Sequence, residues 1–174
     1  ALVERMARLY DVPASRCLVG RGSDEAIDLL VRAFCRAGMD SVVICPPTFG
    51  FYKVAARIQG ADVIEVPLLD AGFALDTDAV IDAGRRARIV FLCSPNNPTG
   101  NLLDERAILS ICSALASHAL VCVDEAYIEL APVGTYASLA SSSLRLAGSA
   151  IDRMVYAIYA PLLLAVPLLS SPEK

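Results

Sequence analysis

The chain lacks a basic excess. Its 174 residues carry 15 Lys and Arg against 19 Asp and Glu, a net charge of −4 at neutral pH, which leaves no electrostatic footprint for nucleic acid or an anionic membrane. It lacks paired cysteines. Cys17, Cys35, Cys45, Cys93, Cys112 and Cys122 show no C-x-x-C spacing, and most sit in apolar runs, where a free thiol packs as a small hydrophobe. No zinc site or other metal centre is expected, and the thiols indicate a reduced, cytoplasmic protein. It also lacks an unbroken apolar run of comfortable membrane-spanning length, because Pro161 and Pro167 interrupt the stretch 154–169. A helix-like pattern of Leu2, Met6 and Leu9 opens the chain, so no signal peptide is expected. There is no internal repeat.

What is present is apolar. The composition is 56% hydrophobic and 20% charged, with mean hydropathy +0.55, which excludes disordered and collagenous chains. A chain of this length buries roughly two-thirds of its unfolded surface, enough for one core without disulfides or metal. Short apolar runs at 17–19, 41–45, 62–66, 89–93 and 120–123 are nearly continuous and rich in β-branched residues. They predict parallel strands covered on both faces. Between them lie helix-period segments: Ile27, Leu30, Val31 and Phe34, then Ile108, Ile111, Cys112 and Leu115. Ser23 and Asp104 are the expected N-caps. The alternation predicts a layered α/β fold. Beyond about residue 131 the pattern degrades through a serine-rich stretch at 138–143 into the apolar tail, which does not read as the end of a compact domain.

Four segments carry chemistry. Gly20-Arg21-Gly22-Ser23-Asp24-Glu25 joins a strand to a helix. The third glycine of a dinucleotide fingerprint is missing, and no Gly-Lys-Ser/Thr follows. Two readings remain: a phosphate site on a helix N-terminus, or a plain turn capped by Ser23. Ser94-Pro95-Asn96-Asn97-Pro98-Thr99-Gly100 follows a buried strand, at the carboxyl edge where α/β proteins bind ligands. Asn97 there can donate its amide to an oxygen on a bound ring. Asp124-Glu125-Ala126-Tyr127 follows another apolar strand. A carboxylate in that position needs a partner, and a protonated pyridine nitrogen would be one. Metal binding by Asp124 and Glu125 is disfavoured, because adjacent strand residues point to opposite faces. Pro46-Pro47-Thr48-Phe49-Gly50-Phe51-Tyr52 places aromatics at a third strand end; Phe49 stacks on a planar ligand or packs in the core.

Together these segments, with the Ala26-Ile27-Asp28-Leu29-Leu30-Val31-Arg32-Ala33-Phe34-Cys35 that follows the first, resemble the fold-type I aminotransferases that depend on pyridoxal 5'-phosphate. The likeness is nearest to the histidinol-phosphate branch and extends over about 2–130. It implies a three-layer α/β/α large domain with a seven-stranded, mainly parallel sheet. Residues 1–145 would form the cofactor-binding core and 146–174 an incomplete exit towards a small C-terminal domain missing from this sequence. The backbone at Ser23, Asp24 and Glu25 would hold the cofactor phosphate. Phe49 would stack on the pyridine, Asn97 and Tyr127 would hold the ring hydroxyl oxygen, and Asp124 would pair with the pyridinium nitrogen. The implied reaction is transamination between histidinol phosphate and 2-oxoglutarate in histidine biosynthesis, by a homodimer with small amino-acid and keto-acid substrates. A threonine-phosphate decarboxylase and an aromatic aminotransferase are alternatives on the same fold. A nucleotide-binding α/β domain is a more distant one.

The sequence departs from the family at its Schiff-base lysine. The lysines here are Lys53 and Lys174. The region expected to carry the motif, Ser143-Leu144-Arg145-Leu146-Ala147-Gly148-Ser149-Ala150, has neither that lysine nor the arginine that follows it in the family. The catalytic lysine is thus unassigned. Lys53, His118 and the run Arg85, Arg86 and Arg88 are read as surface groups. The expectation is that the lysine segment and the small domain belong to a longer protein than these residues. A degenerate, non-catalytic remnant and a deliberate fragment are the competing explanations.

Overall fold

The computed structural model describes residues 2–131, 155–159 and 162–165. Helix α1 (Leu2–Leu9) leads to strand β1 (Cys17–Val19). Then come α2 (Ser23–Phe34), β2 (Ser41–Ile44), α3 (Phe51–Gln59), β3 (Asp62–Glu65), α4 (Thr77–Gly84), β4 (Ile89–Cys93), α5 (Glu105–Ala114) and β5 (Leu120–Asp124). Strands β6 (Val155–Tyr159) and β7 (Leu162–Ala165) complete the sheet. Its order is β1-β7-β6-β5-β4-β2-β3. Neighbours from β6 across to β3 run parallel. Strand β7 is antiparallel to both β6 and β1. This is the seven-stranded, mainly parallel sheet expected.

The apolar runs become strands because each face has its own helices. Val43, Val90, Leu92, Val121 and Val123 pack with Val80 of α4 and with Ile108, Ile111 and Cys112 of α5. On the opposite face Val42, Ile44, Ile89, Phe91 and Cys122 pack with Ile27, Leu30 and Val31 of α2 and with Tyr52, Ala55 and Ala56 of α3. Successive residues of β4 thus feed opposite layers, the period of two that a strand imposes. Each fully buried Ile, Leu or Val contributes roughly 1.5–3 kcal/mol of transfer free energy, and β2, β4 and β5 are buried at every position. The result is the three-layer α/β/α architecture.

Three local expectations meet different outcomes. Asp104 caps α5 by accepting the Ala107 amide at 2.9 Å. Ser23 does not cap α2: it is the first helical residue, and Gly22 takes the cap position with no side-chain bond. The chain enters at Gly22 with φ +119°, which L side chains rarely adopt. The turn is closed instead by Glu25, whose Oε2 accepts the Arg21 amide at 2.7 Å and whose Oε1 accepts the Arg21 guanidinium. The apolar tail supplies β6 and β7 in the middle of the sheet. The segment 143–150, where the lysine motif was sought, lies outside the described residues. All six cysteines are free, and all but Cys17 are buried. Among the described residues no helix is long and apolar enough to cross a membrane.

Candidate active site

The carboxyl ends of β2, β4 and β5 open at one edge of the sheet, and the N-terminus of α2 points to the same edge. A cavity there is lined by Ser23, Phe49, Cys93, Asn97, Asp124, Ala126 and Tyr127. Five residues singled out from the sequence, Ser23, Phe49, Asn97, Asp124 and Tyr127, therefore meet at one place. Asp24 and Glu25 do not line this cavity. They border a neighbouring open groove with Arg21, Asp28, Leu29, Arg32 and Phe51.

Asp124 is the last residue of β5 and is 2% exposed. Its Oδ2 accepts the Tyr52 hydroxyl at 2.6 Å, and its Oδ1 accepts the Ala126 amide at 3.1 Å. Burial raises its pKa above the usual carboxylate value, against the two hydrogen bonds, which lower it; the charge of Asp24 adds to the rise. No cation is paired with it among the described residues. Glu125 is also buried, is absent from the cavity lining and acts electrostatically on Tyr10, so the two neighbouring carboxylates do not converge.

The loop after β4 is held by its own polar network. Asn96 is 4% exposed. Its amide donates to the Pro47 carbonyl at 2.8 Å and to Thr99 Oγ1 at 2.6 Å, and its Oδ1 accepts the Thr48 hydroxyl at 3.0 Å. Thr99 continues the network to Asn101, whose amide reaches the Phe73 carbonyl. The Ser94 hydroxyl accepts the Leu103 amide at 3.1 Å. Asn96 thereby ties this loop to the one after β2, while Asn97 lines the cavity. The peptide bonds before Pro47, Pro95 and Pro98 are cis.

At the α2 N-terminus the amides of Ser23, Asp24 and Glu25 have no carbonyl one turn earlier within the helix, and Gly22 has no side chain to cap them. Free donors and the positive end of a helix dipole suit an anion. The other charged candidates lie elsewhere. Lys53 pairs with Glu65. His118 is exposed, with Nδ1 3.1 Å from the Ser117 hydroxyl. Arg85 pairs with Asp82, and Arg88 with Asp40.

Sequence reasoning passed over Asn96 and Tyr52. The loop motif held the signal for Asn96: asparagine in a turn commonly spends its side chain on nearby loop groups. For Tyr52 the signal was its place one helical turn beyond Phe49, which puts both on one face of the chain entering α3.

A parallel sheet with a buried carboxylate, an aromatic wall, an amide and a helix N-terminus at its carboxyl edge defines an α/β ligand-binding domain of the enzyme kind. Residues 1–150 match the aminotransferase class I and II family, and the chain belongs to it. It is 51% identical over 151 residues to histidinol-phosphate aminotransferase of Stenotrophomonas maltophilia strain R551-3, an alignment covering 84% of this chain and 42% of that protein. The namesake of Xylella fastidiosa strain 9a5c is 51% identical over 136 residues, 76% of this chain and 37% of that one. The chain thus spans about two-fifths of the length of these curated relatives. Among solved structures, cystalysin of Treponema denticola, which contains a pyridoxal 5'-phosphate cofactor, shares the fold. Its TM-score is 0.79 at 18% identity, over 94% of this chain and 45% of that chain.

Proposed function

We propose that the cavity holds the pyridine ring of pyridoxal 5'-phosphate, and that this chain is the ring-holding part of a histidinol-phosphate transaminase. The observation that carries the reading is Asp124: a buried carboxylate with no cationic partner among the described residues, facing a cavity. A protonated aromatic nitrogen is the partner such a carboxylate lacks. The remaining donors fit the same group. Phe49 can cover one face of a planar ring and exclude water from it. The Asn97 amide and the Tyr127 hydroxyl can donate to an oxygen on the ring. The first-turn amides of α2, at Ser23, Asp24 and Glu25, suit a phosphate dianion.

Bound pyridoxal phosphate supplies the electron sink that amino transfer requires. Asp124 keeps the ring nitrogen protonated by remaining an anion beside it. The substrates proposed are histidinol phosphate and 2-oxoglutarate, with imidazole-acetol phosphate and glutamate as products, in a cytoplasmic homodimer. The names and identities of the curated relatives support that choice. Residues 1–145 are proposed as the core together with β6 and β7, which complete its sheet. No lysine lines the cavity among the described residues, so the amine that takes part in the chemistry is assigned to none of them.

The test is titration of the purified chain with pyridoxamine 5'-phosphate, followed by circular dichroism induced in the ring absorption band. Saturable induced dichroism, lost in Asp124→Ala and kept in Lys53→Ala, is expected. A chain that induces none at millimolar ligand, although folded, refutes the cofactor reading.

A further inference from the structure

We propose that Tyr52 is the positioning residue of this site, holding the Asp124 carboxylate in its ionised form towards the cavity and seating the Phe49 ring that forms the cavity wall. The inference deepens the cofactor reading and rests on it for its purpose, though its geometry is independent of any ligand.

Tyr52 lies on the inner face of α3 and is fully buried. Its ring stacks on Phe91 of β4, with centroids 4.7 Å apart and planes 5° from parallel. Phe49 meets it edge to face, at 5.6 Å and 88°. With the ring clamped between two aromatics, the hydroxyl oxygen is held in place, donating to Asp124 Oδ2 at 2.6 Å with the Cys93 thiol beside it. One side chain therefore touches two cavity-lining residues, by its ring and by its hydroxyl. Burial and the nearby Asp124 charge push the Tyr52 pKa well above the ordinary phenol value, so it stays a neutral donor. A neutral donor suits this place: it stabilises the carboxylate without cancelling the charge that a ring nitrogen needs.

Other groups act on the same carboxylate. Cys93, paired with Asp124 across the strands, is a thiol pushed up to about 11 by burial that donates to the Pro95 carbonyl at 3.4 Å. Cys122 on β5 is likewise raised by burial. Asp24 on α2 opposes ionisation by its charge. Tyr127 lines the cavity from the loop beyond. On β6 the register partner is Ile158, which does not titrate. Among these, Tyr52 is the side chain that hydrogen-bonds Asp124.

The experiment is a carbon-13 NMR titration of the ligand-free chain, with the Asp124 carboxyl signal assigned by its loss in Asp124→Asn. Tyr52→Phe keeps the ring and its two aromatic contacts and removes the hydroxyl. Losing a hydrogen bond to a charged acceptor shifts the balance by at least tenfold, so the Asp124 midpoint is expected to rise by about one pH unit. The pH below which pyridoxamine 5'-phosphate dissociates should rise by the same amount. A folded Tyr52→Phe chain with an unchanged Asp124 midpoint overturns the proposal, since a packing role alone survives that substitution. If Tyr52→Phe does not fold, the unsubstituted chain decides: the Tyr52 Cζ signal must move with the Asp124 midpoint, and a Cζ signal flat through that pH range overturns it. Failure of pyridoxamine 5'-phosphate to bind leaves the titration valid and counts against the cofactor reading alone.

Discussion

Asn96 and Asn97 are adjacent, chemically identical and, in this structure, opposite in role. Asn96 makes three side-chain hydrogen bonds while nearly fully buried. Asn97 is half-buried, lines the cavity and makes no side-chain hydrogen bond among the described residues. Asn96→Ala removes all three bonds. At about 1 kcal/mol net for each neutral bond, the loss is about 3 kcal/mol. Pro47 is exposed and Thr99 half-buried, so water recovers part of that, and the expected destabilisation is about 2 kcal/mol. Asn96→Asp is expected to be the worse substitution. It keeps the volume but turns the donor facing the Pro47 carbonyl into an oxygen, and it brings a charge into a nearly buried position. Asn97→Ala is expected to stay within about 0.5 kcal/mol of the parent.

Urea unfolding followed by far-ultraviolet circular dichroism measures all three. With a slope of about 2 kcal/mol per molar urea, Asn96→Ala lowers the midpoint by about 1 M. The reasoning is refuted if Asn96→Ala and Asn97→Ala unfold together, because the network would then contribute nothing beyond solvated turns. It is also refuted if Asn96→Asp is as stable as the parent, because the Nδ2 atom would then face water and not the Pro47 carbonyl.

Asp124→Asn tests the electrostatic cost of the site. Burial raises the folded-state pKa of Asp124 above its ordinary value. Its protonated form therefore contributes stability that is complete below about pH 3.8 and is lost as pH rises through the raised folded value. The parent should gain melting temperature relative to Asp124→Asn between pH 7 and pH 4.5, and a gap of the same size at both values would contradict the burial argument. The cysteines give a second test, by thiol labelling with and without denaturant. Cys45 and Cys112 are pushed up to about 12 by burial, and Cys35 and Cys93 to about 11. Cys17, the partly exposed one, should label in the folded chain, and all six should label in urea; labelling of Cys93 in the folded, ligand-free chain would show a cavity more open than this one.

The strands at 17–19 and 89–93 have the bounds expected from sequence, and the reason is local. Short β-branched runs bounded by turn residues announce a strand by themselves. Their neighbours are not announced. An apolar run marks a strand but not its neighbours in the sheet, so nothing in Val155-Tyr156-Ala157-Ile158-Tyr159 says that it lies against β5, or that β7 brings β1 into the sheet. The tail's two strands pair with each other, but their outer partners, β5 and β1, lie more than thirty residues away in the chain. The site divides along the same line. Asp124 is legible because a carboxylate after an apolar strand is anomalous by composition alone. Tyr52 is not, because a tyrosine on the inner face of a helix reads as core, and its ring is core. Its hydroxyl matters only once the fold has carried it 72 positions along the sequence to Asp124.

Topology also fixes where the cavity can be. The chain leaving β2 crosses by α3 over one face of the sheet, and the chain leaving β4 crosses by α5 over the other. Strands β2 and β4 are neighbours whose successors lie on opposite sides, β3 outward and β5 inward. Loops that diverge in this way leave a crevice at the carboxyl ends of the two strands, the usual binding place in open α/β sheets. Phe49 follows β2, Cys93 and Asn97 lie at and after β4, and Asp124 ends the next strand. The buried carboxylate therefore stands beside a cavity with room for a cationic partner. Tyr52 reaches it from α3, the helix on its own side of the sheet. A substitution that closed the crevice would leave Asp124 buried without room for a cationic partner, and so the cavity and this buried carboxylate are one feature of the structure.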